Sequence, residues 1–269
     1  MVEYQGMRWL KSDFQVQTPE DNRHWADDDL RLHIRRPIID GKPCEQAIQV
    51  KAKQFLRRCH ELDLEMIGIT DHNFSEKADP RDWFLTHLVE QNKSVAKELN
   101  RAPISIFPGF EVDIGYHVLC LFDPAKKQRH VQRVNMILTK LGLAEHERFR
   151  AGEPALLRRE GRTISLKELL EVVQEQHAGI VIAAHADQAD GMLSSANNIA
   201  DYQNPGLLAV EVTTYPMPQR FKSILEGSNP DWSRRGRQPA YVQSSDAKSL
   251  KVGRTAVPLP TLWATAGHG

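Results

Sequence analysis

Five short apolar runs in this chain carry an Asp, Glu or His at one end. Met66-Ile67-Gly68-Ile69-Thr70 leads into Asp71 and His72, and Ile104 to Phe110 leads into Glu111. Gly179 to Ala184 leads into His185, and Ala240 to Ser245 leads into Asp246. The remaining run is reversed, with His117 standing before Val118-Leu119-Cys120-Leu121-Phe122. Imidazole and carboxylate together suit zinc, manganese or iron. A group of such ions suits phosphate-ester hydrolysis, because one can polarise a phosphoryl oxygen while another lowers the pKa of the attacking water. A sixth run, Asp13 to Thr18, belongs with the set but carries Gln15 and Gln17. A glutamine can ligate through its carbonyl oxygen, far more weakly than a neutral imidazole does for borderline ions.

Taken singly, each residue has an ordinary alternative. Asp71-His72-Asn73 can be a capped turn, Glu111 can pair with an arginine, His117 and His185 can be satisfied core histidines, and Asp246 can cap the next segment. Together they point elsewhere. Apolar β-runs that stop at ligand-type side chains fit strands of a parallel barrel, whose C-terminal ends converge over one mouth. A carboxylate at the end of a buried run is costly unless it is paired or coordinated.

The elements that would position these residues follow from periodicity. Strands are expected at 13–18, 66–71, 104–112, 117–122, 179–185, 207–213 and 240–246. Helices are expected over 46–62, with Ala52, Phe55, Leu56, Cys59 and Leu62 on one face, over 85–99, and over 127–141. Ser165 followed by Glu168 forms a capping-box pattern that should open a helix through Gln176. Alternating strands and helices predict an α/β fold built on a parallel sheet or barrel. The chain reads as one domain over 1–269, with polar excursions near 19–45 and 142–164 and a tail after Val257 that ends without a helix.

Composition narrows the function classes. Lys plus Arg equals Asp plus Glu at 35 each, so whole-chain charge makes no case for nucleic-acid binding. Local arginine clusters do occur at 31–36, 148–162 and 234–237, as solvated loops or as a groove for a phosphate backbone. No apolar run reaches the roughly 18 residues of a membrane span. The first residues lack the basic and apolar regions of a secretory signal. Three widely spaced cysteines fit thiols in a reducing, cytoplasmic setting better than a disulfide frame.

The ordered set of Ile69-Thr70-Asp71-His72-Asn73, Phe110-Glu111, His117, His185 and Ser245-Asp246-Ala247 resembles the PHP domain, named for polymerase and histidinol phosphatase, over roughly residues 8–254. The resemblance implies a distorted seven-stranded β/α (TIM-like) barrel and a metal-dependent phosphoesterase. The family pattern opens with His-x-His and closes with Asp-x-His. Here those positions hold Gln15 and Gln17, and Lys248. Three metals are therefore not expected; one or two divalent ions (Mn, Zn or Fe) are.

Under this resemblance Glu111, His117, His185, Asp246, His72, Gln15 and Gln17 are the metal-site candidates. Asp71, His72 and Lys248 are the catalytic ones, with Lys248 offering a point charge to phosphate. His24 could replace a lost ligand or be an ordinary loop residue. The segment Arg8-Trp9-Leu10-Lys11-Ser12-Asp13-Phe14 is most similar to PHP domains at the N-termini of large bacterial ATPase proteins linked to phage defence and mobile elements. No phosphate-binding ATPase loop occurs in the chain, so an ATPase would be a separate partner or a missing C-terminal part. The expected function is hydrolysis of a phosphate ester, nucleic acid included. The alternative is a degenerate barrel that binds nucleotide, nucleic acid or an ATPase without catalysis.

Overall fold

The computed structural model describes residues 10–21, 25, 38–39, 42–72, 83–124, 130–144, 155–214, 216–233 and 236–250. Seven strands make one curled sheet: β1 (Ser12–Val16), β2 (Met66–Ile69), β3 (Ser105–Asp113), β4 (His117–Phe122), β5 (Gly179–Ala183), β6 (Ala209–Glu211) and β7 (Ala240–Val242). They lie side by side in chain order, and the short strand Ala155–Leu156 adds beside the end of β3. Neighbouring strands run parallel except β4, which is antiparallel to both β3 and β5. The reversed run of the sequence is thus a reversed strand. It brings His117, at the start of β4, to the same rim as the end of β3.

Among the described residues the sheet is not a closed ladder, in contrast to the barrel expected from the sequence. β1 and the segment after β7 meet through one parallel bridge, Val16 to Ala247. There the Ala247 amide donates to the Gln15 carbonyl at 3.3 Å, and the Gln17 amide donates to the Ala247 carbonyl at 3.0 Å. β7 ends at Val242, too early to pair with β1 along its length.

Period-2 alternation sorts the strand side chains into two layers. Val118, Cys120 and Phe122 of β4 join the large core under the helices. Leu119 and Leu121 meet Ile182, Ala184 and Ala209 inside the curl, with Phe14, Phe107 and Val242 packed against them. Gly109 makes this inner layer fit, since a Cβ there would collide with the Cys120 carbonyl oxygen and the Leu121 side chain. The outer layer includes α1 (Cys44–Glu61), α2 (Phe84–Glu98) and α3 (His130–Lys140). Ala52, Phe55, Leu56 and Cys59 of α1 and Val131, Val134, Ile137 and Leu138 of α3 are buried, as their spacing predicts. Cys59 and Cys120 are free and buried.

The Ser165 capping box is formed, with Ser165 Oγ accepting from the Glu168 amide and the Glu168 carboxylate accepting from the Ser165 amide. The helix it opens is α-helical over α4 (Leu166–Leu170) and continues as a π-turn over Glu171–Gln176. Two further helices, α5 (Ile199–Tyr202) and α6 (Gln219–Leu225), lie before and after β6. The Arg-rich insertion contains a hairpin pairing Arg158–Arg159 with Arg162–Thr163. Arg159 donates to the Lys140 carbonyl and Arg162 pairs with Glu168, tying the hairpin to α3 and α4. Parts of the 19–45 and 142–164 excursions, His24, Arg31, Arg35, Arg36, Arg148, Arg150, Arg234, Arg235 and the tail from residue 251 lie outside the described residues. No helix among the described residues is long and apolar enough to cross a membrane.

Candidate metal centre

Glu111 is the hub of the rim. Two residues before the end of β3, it stands opposite Leu119 of β4, so it shares the inner face with that residue. Its side chain is 1% exposed, yet it is surrounded by donors. The two carboxylate oxygens face different neighbours.

Oε1 faces the histidines. His117 Nδ1 lies 3.1 Å from it and His185 Nε2 3.4 Å, and the two ring nitrogens are 3.0 Å apart. These three atoms, one from each of β3, β4 and the loop after β5, meet within the span of a single ion's ligands. With bonds of about 2.0–2.1 Å, tetrahedral zinc places its ligand atoms about 3.3 Å apart. The observed triangle of 3.0–3.4 Å has that size. Two imidazoles and a carboxylate are also a known zinc donor set. Both rings are partly exposed, so the triangle opens toward solvent.

Oε2 faces a packed hydrogen-bond network. Gln15 Nε2 donates to it at 2.9 Å and Gln17 Nε2 at 3.3 Å, while His72 Nε2 lies 3.1 Å away. A register shift in β1 between Asp13 and Val16 explains how the glutamines reach inward. Phe14 already packs inside the curl, so a regular strand would send Gln15 outward; the irregularity turns it back to the inner face. Among the described residues, the Oε1 atoms of both glutamines are buried without a hydrogen-bond partner.

The charges on this side are matched by protein groups. His72 Nδ1 lies 2.8 Å from Asp21 Oδ2. Burial works against a charged His72, but its hydrogen bonds to Asp21 and Glu111 outweigh that and push its pKa up to about 10. Burial likewise opposes ionisation of Glu111, and the hydrogen bonds from His117, His185 and His72 hold its carboxyl well below the usual range. An imidazolium with two amide donors therefore fills the Oε2 side. Among the described residues, Oε2 is thus engaged by protein donors, and the group that could hold a cation lies on the Oε1 side.

The other predicted residues fall outside the triangle. Asp71 spends both oxygens on Thr18, accepting from its amide at 2.6 Å and its hydroxyl at 2.8 Å. Burial and then the Asp21 charge push Asp71 up to about 7. Asp246 has a positive φ of 46°, and its Oδ2 accepts from Lys248 Nζ at 2.7 Å. Among the described residues the ligand triangle comprises Glu111, His117 and His185, without Asp246.

Two rim residues, Asp21 and Glu211, are not among the candidates drawn from the sequence. Asp21 lies in a polar excursion with no periodic signal. Glu211 does carry the same signal as the others, since it closes the apolar run Leu207 to Val210. Glu211 is fully buried, and burial pushes its carboxyl up to about 7 against hydrogen bonds from the His185 amide and Ser244.

Neither a family model nor a curated protein matches the chain. Among solved structures it is similar to endonuclease Q, crystallised in complex with a 27-mer duplex substrate with an abasic lesion at the active site. The identity is 11% and the TM-score 0.48, over 90% of this chain and 49% of that one. This chain thus spans about half the length of that protein. A likeness at this level assigns no function.

Proposed function

We propose that this chain is a metal-dependent phosphoric-ester hydrolase that works with one divalent cation, held by Glu111, His117 and His185, on a substrate of nucleic-acid type. The observation that supports it is the triangle of ligand atoms 3.0–3.4 Å apart at the sheet rim. The ordered resemblance to the PHP domain supports the phosphoester class. A cation held there would polarise a phosphoryl oxygen and lower the pKa of a water beside it.

The chain's own residues do the rest. Glu111 supplies the anionic ligand, and the imidazolium of His72, fixed by Asp21, keeps its second oxygen engaged. Asp71 braces the turn at Thr18 next to Gln17. Lys248, held by Asp246, offers a compact positive charge to a phosphate oxygen. Arg8 and Trp9, of the opening segment whose resemblance implied an ATPase association, lie outside the described residues.

A second reading, a cation-binding barrel without turnover, is favoured by the filled Oε2 side. Hydrolysis of an activated phosphodiester and of an oligonucleotide by the purified chain, with metal content measured on the same sample, separates the two. One ion per chain, with manganese- or zinc-dependent turnover lost in Glu111→Ala, is expected. One ion without turnover gives the second reading, and neither ion nor turnover rejects both.

A further inference from the structure

His185 is bound to its place by an unusual backbone. Its φ is +29°, in the left-handed region that non-glycine residues rarely enter and hold only where neighbours over-determine it. The neighbour that does so here is Glu211, at the end of β6. Its Oε2 accepts the His185 amide at 2.8 Å, and its backbone carbonyl accepts the next amide, that of Ala186, at 2.8 Å. One residue thus holds two consecutive amides of the turn that carries the ligand.

The same two loops are tied again one step further out. Asp187 Oδ1 accepts from the Thr213 amide at 2.8 Å, and its Oδ2 accepts from the Thr214 amide at 2.8 Å. Gly191 closes over the back of the turn, where a Cβ would collide with the His185 and Ala186 backbone. The loop after β5 therefore takes its shape from the loop after β6. Glu211 is nonetheless absent from the ligand triangle, so it acts on the ligand's backbone and not as a ligand.

We infer that Glu211 is a positioning residue for the cation site: its carboxylate sets the strained turn that aims the His185 ring at Glu111. This rests on the cation reading given above. A buried carboxylate is otherwise an expensive way to end a strand whose neighbours are aliphatic. Here it supplies an acceptor that a shorter or apolar side chain cannot place 2.8 Å from the His185 amide.

Two substitutions separate reach from charge. Glu211→Gln keeps an acceptor at the same distance and removes the charge; Glu211→Asp keeps the charge and removes the reach. Hydrogen exchange of the His185 amide is measured by NMR in the metal-free chain, and zinc and manganese affinities by equilibrium dialysis. Glu211→Gln should retain both the amide protection and the wild-type affinity. Glu211→Asp should lose the protection and bind the cation about 10–100-fold more weakly, the range seen for residues that orient ligands from behind.

Unchanged protection and affinity in Glu211→Asp, or loss of both in Glu211→Gln, would overturn the inference. If Glu211→Asp does not fold, Glu211→Gln decides alone: retention supports the clamp and loss refutes it. If the wild-type chain binds neither cation, the metal reading falls, and the exchange data still decide whether Glu211 holds the turn.

Discussion

The sharpest consequence of the rim geometry is that one cation should stabilise the folded chain through three side chains only. The perturbation is His185→Asn, read by thermal unfolding with and without zinc or manganese. At a cation concentration about 100 times Kd, binding to the folded state adds about 2.7 kcal/mol. For a chain of this size each kcal/mol moves Tm by about 2–4 °C, so the wild-type shift should be about 5–11 °C.

Removing His185 takes away one corner of a triangle whose edges are 3.0–3.4 Å. A loss of about 100-fold in affinity, the upper range for residues that only orient ligands, is a modest expectation for a ligand itself. At the same cation concentration the variant is then half-saturated and gains about 0.4 kcal/mol, or about 1–2 °C. Each shift is taken within one variant, so any change in metal-free stability cancels. Ser165→Ala is the control: its side chain engages Glu168 and none of the three ligand side chains, so its cation-induced shift should match that of the wild type. No shift in the wild type at millimolar cation, or equal shifts in wild type and His185→Asn, would refute the reasoning.

Three other outcomes are expected. Gln15→His with Gln17→His replaces two amide donors at Glu111 Oε2 with better ligands and should raise bound zinc above one per chain, as measured by elemental analysis after dialysis; an unchanged content counts against the idea that the glutamines exclude a second ion. Gly109→Ala forces a Cβ against the Cys120 carbonyl and Leu121, so denaturant unfolding should show a loss of about 1–3 kcal/mol, and a neutral result would mean the inner layer yields. Ser165→Ala removes the acceptor for the Glu168 amide and should cost about 1 kcal/mol in the same assay, with little effect on cation binding, since Ser165 engages none of the three ligand side chains.

Most of the sheet was readable in the sequence because its signals are local. The seven apolar runs became the seven strands, and the reversed position of His117 marked the strand that runs backward. Closure was not readable. It depends on where β7 stops and on a single bridge at Ala247, a long-range contact with no periodicity of its own. The helix through Gln176 was legible at its start, where a capping box is a local motif. Its change to a π-turn was not; within that turn Gln174 donates to the carbonyl of Gly206, 32 residues away, a contact with no local signal. Glu211 was readable by the same run-ending rule that picked out Glu111, whereas Asp21 carried no local mark.

The run-ending rule finds carboxylates and imidazoles at a rim, but it does not say what each one faces. Asp71 and Asp246 satisfy it as well as Glu111 does, yet the first is used up by Thr18 and the second is paired with Lys248. What distinguishes Glu111 is that its oxygens have different neighbours, amides and an imidazolium on one side and two partly exposed rings on the other. The glutamines matter for this division more than as weak ligands. An amide can turn its N–H₂ toward a carboxylate, so Gln15 and Gln17 engage the oxygen that a histidine pair would leave for a second ion. Their own carbonyl oxygens are buried and have no partner among the described residues, an arrangement that costs about 1–3 kcal/mol for each such group. A sequence keeps such an arrangement only where some other requirement outweighs it. Holding Glu111 ionised and fixed, with one oxygen reserved for His117 and His185, is a requirement this network meets.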